Sequence, residues 1–359
     1  MQAIEIGIDE LKELNVNYET PKMCEIPFDL SFNSSLELYK IYNEFKSDVY
    51  IVSTPEAEAV ASRPEIVGEK MKYLMLETAR KVLPLIHEKH LKEDSLFILL
   101  ILRAAVGYEA HVVFKELLDS VSIGYIRPKY VTPSFGDHVD KKLEIKAHNL
   151  DKTLPESENL ALFIPDTYAS GLTAVESLKT VFKVAEEKGT EISKVIIYGF
   201  IADKSIEALE NLLNPRGVDL IVYALCDIPQ LASNGYDMVL GPDPHTLEKE
   251  GKVKYLNSTV PLPVAIRMLN KHGYVPGVDQ PGDFSERQKR LINLKLNNGN
   301  FELVLEQGNI KDHLQHSLKR LELLEERFLP KLDGRLGIIV GKNISKRKRA
   351  LLNVMSHYY

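Results

Sequence analysis

The sequence predicts an α/β fold: a mostly parallel sheet flanked by helices on both faces, with an arm and a helical C-terminal extension. Short, nearly continuous apolar runs at residues 95–102, 160–164, 194–200 and 219–224 read as strands buried on both sides. Segments between them repeat apolar residues at helical spacing, as Leu172, Val175, Leu178, Val181 and Phe182 do. Strands alternating with helices in this way define a parallel sheet with crossover helices.

Composition sets the outer limits. The chain has 359 residues, 44% hydrophobic and 27% charged, the balance of a globular protein. No run approaches the length of a membrane span, and the first residues carry no basic and apolar leader, so a cytoplasmic protein without membrane contact is expected. The two cysteines, Cys24 and Cys226, are too few for a paired-ligand metal site or a disulfide framework. The net charge of −6 conceals an asymmetry: residues 286–359 hold 15 Lys and Arg against 8 Asp and Glu, so the body is acidic and the tail basic.

Three parts are expected: a packing or subunit-contact segment (1–62), a ligand-binding domain (63–284) and a basic helical extension (285–359). In the first, prolines break any long helix, and residues 49–53 read as a short strand. A long helix follows over 64–89, with Ile66, Met71, Leu74, Met75, Thr78 and Val82 on its apolar face. His87 and His90 lie on a Glu- and Lys-rich stretch of it and read as solvated. The strand at 95–102 delivers Arg103 and a small-residue turn, 104–107, at its carboxyl end, followed by a helix to 118. A second strand, 121–126, ends in Arg127. Residues 128–158 are polar and proline-rich and read as an irregular lid or arm, with Lys129, Tyr130, Lys141 and Lys142 available to close over an anion. Residues 203–213 read as a helix and 227–262 as loop-rich. GPDPH at 241–245 could offer Asp243 and His245 to a metal, but two prolines and a glycine read as a rigid turn.

The chemistry concentrates at 160–179. There an apolar strand ends in Pro165 and Asp166, and ASGLT (169–173) opens a helix. The first amides of a helix lack backbone partners and sit at the positive end of its dipole. A glycine there admits an anion, and Ser170 and Thr173 add hydroxyls, so the loop can bind phosphate; Ser170 acting only as a helix cap is the other reading. The loop has neither the Gly-Lys-Ser/Thr of a Walker motif nor the spaced glycines of a dinucleotide fold.

Strand, acid and small-hydroxyl loop in this order resemble the 5-phosphoribosyl 1-diphosphate (PRPP) signature of type I phosphoribosyltransferases. With ILRAA at 101–105, Arg127 at a strand end, Glu77 in the long helix and GYVPGVDQPGD at 273–283, the chain is similar to the uracil phosphoribosyltransferase family over about residues 50–284. It departs from the family in four places. Pro165 stands where the family has the first of two acids, Ala105 and Leu172 replace loop glycines, and Asp279-Gln280 replaces Gly-Asp.

The resemblance implies a PRPP-dependent nucleobase phosphoribosyltransferase, uracil being the default base, with Mg²⁺ carried by PRPP and a homo-oligomeric state. It assigns the 5′-phosphate to Thr167, Ala169, Ser170, Gly171, Leu172 and Thr173. Pyrophosphate falls to Arg103, Ala104, Ala105, Gly107 and Arg127. Asp166 takes the ribose hydroxyl, the developing positive charge and a metal contact. The base falls to Tyr274, Val275, Gly277, Asp279, Gly282 and Asp283. The departures leave a second reading open, a non-catalytic member that binds PRPP or a nucleotide as a signal.

In the tail, residues 311–329 read as an amphipathic helix with Leu314, Leu318, Leu321, Leu324 and Phe328 on one face. The basic cluster from Lys346 to Arg349 admits nucleic-acid contact, but packing of the tail on the body or a sister subunit is the expectation.

Overall fold

The computed structural model describes residues 5–17, 22–24, 35–42, 45–92, 94–130, 143–297 and 300–358. Lys141 and Lys142 of the expected arm lie outside them.

The central sheet contains β1 (Lys22–Met23), β2 (Glu37–Ile41), β3 (Asp48–Ser53), β4 (Ser95–Ile101), β5 (Ser122–Tyr130), β6 (Leu143–His148), β7 (Leu160–Pro165), β8 (Ile192–Gly199) and β9 (Asp219–Leu225). Their spatial order is β1-β2-β3-β9-β8-β7-β4-β5-β6. The six strands from β3 to β5 are mutually parallel; β1, β2 and β6 run antiparallel to their neighbours at the edges. Every residue of β7 is buried, as its unbroken apolar sequence requires.

The connecting helices are α1 (Pro55–Ser62), α2 (Gly68–His90), α3 (Ala110–Leu117), α4 (Leu172–Lys188) and α5 (Asp203–Leu213). The chain steps one way across the sheet from β3 to β4 to β5, and the other way from β7 to β8 to β9. With right-handed crossovers, opposite travel puts the two helix sets on opposite faces. The direction reverses between β7 and β4, which are neighbours. Beyond the carboxyl ends of strands at such a reversal, diverging connections leave a crevice where α/β proteins hold ligands.

Two expectations change. The arm is only partly irregular where it is described: β5 runs on through Pro128 to Tyr130 and pairs with β6, Lys129 facing Glu144 and Tyr130 facing Leu143, with a bulge at Arg127/Pro128, while residues 154–158 form neither helix nor strand. Pro128 is tolerated because it sits at a bulge near the sheet edge. The 241–245 turn leads into a helix, α6 (Pro244–Glu250), capped by Asp243, whose Oδ1 accepts from His245 N at 2.9 Å and Thr246 N at 3.2 Å. Asp243 is thereby committed to the cap.

After residue 284 the chain forms a hairpin, β10 (Leu291–Asn297) and β11 (Asn300–Glu306), then α7 (Ile310–Arg327) and α8 (Gly334–Met355). Leu314, Leu321 and Leu324 of α7, Phe328 at its C-cap, and Leu336, Val340 and Ile344 of α8 are buried in the same core cluster as the sheet. The basic cluster is divided by this packing. Arg347 is buried and pairs with Glu65, and Lys348 pairs with Glu325, while Lys346 and Arg349 stay exposed. No helix among the described residues is long and apolar enough to cross a membrane.

Candidate active site

A cavity of about 520 Å³ opens beyond the carboxyl ends of β7, β4 and β5, at the reversal point. Three chain segments converge there from the sheet, and a fourth, residues 279–286, closes the side.

The first is the loop after β7. Gly171 is the N-cap of α4 with φ of 77°, a left-handed conformation that suits glycine, and no side chain caps the helix. Ser170 Oγ lies 3.4 Å from Leu172 N, a long contact. Gly171, Thr173 and Ala174 line the cavity. The start of α4 therefore faces open space with its dipole and amides, the arrangement that binds anions. Ser170 is therefore a distant acceptor for one amide, and the N-cap position itself falls to Gly171.

Asp166, directly after β7, is 6% exposed, and its Oδ1 accepts from Thr167 N at 2.8 Å. Burial pushes its carboxyl up to about 8. It thus carries a proton near neutral pH, which makes it a hydrogen-bonding partner for a sugar hydroxyl and a weak cation ligand below that pH. Among the described residues no group of three or more His, Cys, Asp or Glu could hold a metal ion. Gly199 of β8 passes so close to the Asp166 carbonyl that an added Cβ would lie 1.9 Å from it, so glycine is required there.

The second and third segments bring cations. Arg127 of β5 is braced across the end of β4, its Nη1 donating to Leu102 O and Pro128 O, both at 3.0 Å. Burial, helped by nearby Arg103, lowers its pKa. Lys129 also lines the cavity and is exposed. Arg103, at the end of β4, is not free: its Nη2 donates to Glu286 Oε1 at 2.5 Å, and its Nη1 lies 3.8 Å from Glu306 Oε2.

At the far end Tyr236, Asp279, Pro281, Asp283 and Phe284 form the wall. Tyr236 donates to Asp283 Oδ1 at 2.7 Å, and Asp279 Oδ1 accepts from Met238 N at 3.0 Å. Burial raises both carboxyls, Asp279 far above its ordinary range with the nearby Asp237 charge adding to the effect. Asp237 behaves oppositely: against the burial that would raise it, hydrogen bonds from His245 and Arg320 hold it below its ordinary value.

Of the residues expected from the sequence, Arg103, Ala104, Arg127, Asp166, Thr167, Ala169, Ser170, Gly171, Thr173, Asp279 and Asp283 meet around this one cavity. Others face elsewhere. Ala105 is fully buried, and Gly107 lies under Gln288 and Phe284. Leu172 starts α4 but does not line the cavity. Tyr274 is buried with its hydroxyl donating to Val278 O at 2.8 Å, and Val275 is core. Gly277 is pressed against Leu324 and Pro242, and Gly282 against His313. Tyr236, Glu286 and Glu306 were not foreseen. They come from a loop-rich segment and from the extension, and no spacing ties them to the strand-end motifs.

No family model matches the chain, and no curated protein matches it. Among solved structures, it is similar to phosphoribosyltransferases. The orotate phosphoribosyltransferase from Aeropyrum pernix is 16% identical over 43% of this chain and 70% of that one, with a TM-score of 0.26. The adenine phosphoribosyltransferase from Trypanosoma brucei is 10% identical over 49% and 83%, with a TM-score of 0.32. The hypoxanthine-guanine enzyme from L. donovani is 13% identical over 46% and 83%, with a TM-score of 0.26.

Proposed function

We propose that the cavity binds PRPP and that the chain transfers its phosphoribosyl group to a nucleobase, with uracil the first base to test. The observation that carries this is the uncapped start of α4, opening into the same cavity as Arg127 and Arg103. In this reading the 5′-phosphate sits against residues 169–173, and the diphosphate lies toward Arg127 and Arg103. Asp166 hydrogen-bonds a ribose hydroxyl, and the base lies against Tyr236, Asp283 and Phe284.

The bond from C1′ to the diphosphate oxygen breaks, and pyrophosphate leaves with the electron pair. The bond from C1′ to a base nitrogen forms, and that nitrogen releases its proton to water. The chain's own contribution is positioning, together with cationic stabilisation of the leaving group. Mg²⁺, which supplies further charge neutralisation when bound, finds no cage of carboxylates among the described residues and would arrive on the oxygens of PRPP.

A second reading, binding of PRPP or a nucleotide as a signal without transfer, is favoured by one observation: Arg103 is already engaged by Glu286. Calorimetry with ribose 5-phosphate and Mg-PRPP, followed by a pyrophosphate-release assay over a panel of bases, tests both. Binding with release supports transfer, and binding without release for any base supports the signal reading. Failure to bind either ligand removes both.

A further inference from the structure

Two carboxylates from beyond the ligand-binding body meet the cavity arginine. Glu286 lies just past the base-side wall, and Glu306 is the last residue of β11. Neither is a loose surface side chain. While Glu286 Oε1 accepts from Arg103, its Oε2 accepts from Asn309 N at 2.7 Å, at the start of α7. Glu306 is fixed by Asn293 Nδ2 at 2.9 Å and Lys295 Nζ at 2.7 Å, both on the partner strand β10. Arg103 itself remains partly open: 28% of its side chain is exposed, and the residue lines the cavity. The C-terminal extension thus builds a prearranged pair of anionic groups against a cation at the mouth of an anion-binding cavity. The other cations lining that cavity, Arg127 and Lys129, have no ion pair among the described residues.

We propose that Glu286 and Glu306 compete with the diphosphate for Arg103, so that the site discriminates against the diphosphate half of PRPP while leaving 5′-phosphate binding unaffected. This rests on the reading that Arg103 faces the diphosphate. The two anionic ends of the ligand are then held by different means. The α4 start binds its phosphate with backbone amides that no internal anion occupies. Arg103 must exchange Glu286 for a pyrophosphate oxygen. The exchange weakens the grip on pyrophosphate, and therefore also speeds its release as a product. Of the two carboxylates Glu286 has the larger effect, because it makes the direct hydrogen bond and Glu306 stands farther off with Lys295 to satisfy it.

The test measures affinities for inorganic pyrophosphate and for ribose 5-phosphate, separately, in the full chain and in Glu286→Gln, Glu306→Gln and Arg103→Gln variants. Glutamine keeps an acceptor for Asn309 N, so the start of α7 is preserved, and melting temperatures check this. Glu286→Gln should tighten pyrophosphate binding about tenfold or more, the worth of one charge-assisted hydrogen bond. It should leave ribose 5-phosphate unchanged within about twofold. Glu306→Gln should give a smaller gain in the same direction. Adding Arg103→Gln should abolish the gain from Glu286→Gln, since the coupling runs through that pair. Unchanged or weaker pyrophosphate binding in Glu286→Gln, with ribose 5-phosphate still bound, would overturn the inference and leave the phosphate-loop reading standing. An effect of Glu286→Gln on ribose 5-phosphate alone, or a gain that survives removal of Arg103, would overturn it as well. If the unaltered protein binds no ribose 5-phosphate, the proposed function itself fails.

Discussion

Asp166→Asn isolates one strongly perturbed carboxyl of the cavity. The amide has the shape of the protonated acid and keeps an oxygen to accept from Thr167 N. In the unfolded chain an aspartate titrates near 3.8, and in the fold Asp166 titrates near 8. Between those values the native protein holds a proton that the unfolded chain has lost, so stability falls as pH rises. One pH unit corresponds to about 1.4 kcal/mol for one group, so from pH 5 to pH 8 this residue removes at most about 4 kcal/mol. Below about pH 4 both states are protonated and the effect vanishes. Glu109 and Asp227, each raised to about 7 by burial, add slopes of the same sign, but they are present in both proteins and cancel in the difference. Urea unfolding of wild type and variant at pH 5, 6, 7 and 8 gives the comparison directly. The variant should be progressively the more stable of the two as pH rises. A stability difference that does not change with pH would refute the argument that Asp166 is buried as a neutral acid.

Four further outcomes are expected. Thr173→Ala should weaken ribose 5-phosphate binding by about 1.5–3 kcal/mol without lowering the melting temperature, as read by calorimetry. Gly171→Ala should do both, because its φ of 77° disfavours a side chain and an added Cβ would lie 3.0 Å from Ser205 Cα and 3.1 Å from Ala208 Cβ of α5; thermal unfolding should register a loss of about 1–2 kcal/mol. Arg287→Met should destabilise the chain by about 3 kcal/mol or more in urea unfolding. That guanidinium is fully buried and donates to the carbonyls of Val60, Arg63, Ile66 and Pro281, which methionine leaves unsatisfied. Deleting residues 340–359 should lower the melting temperature, since it removes the Arg347–Glu65 pair and the Asn343 bonds to Leu269 O and Tyr274 O; an unchanged melting temperature would contradict this.

What the sequence made legible follows from burial. Strands β4, β7, β8 and β9 lie inside the sheet, so most of their residues are apolar, in runs that announce themselves. The strand-end residues Arg103, Arg127 and Asp166 were legible because a polar side chain directly after such a run has few places to go but the crevice. The short edge strands β1 and β2 bury less and carry no such pattern, and Pro128 disguised the continuation of β5. The segment at 273–283 misled for a different reason. Tyr274 and Val275 are as apolar as a base-binding wall would be, but their faces turn into the core beneath α8, and of this segment Asp279, Pro281 and Asp283 reach the cavity. Glu286 and Glu306 could not be read at all, because their meeting with Arg103 depends on where a hairpin nearly two hundred residues downstream folds back.

The central claim is that a phosphoribosyl ligand enters this cavity with its 5′-phosphate on the start of α4. A crystal structure of the chain with ribose 5-phosphate tests it most directly. The phosphate should lie within hydrogen-bonding distance of the Gly171 and Thr173 amides, with a ribose hydroxyl at Asp166. A phosphate bound away from residues 169–173, with that loop empty, would contradict the account.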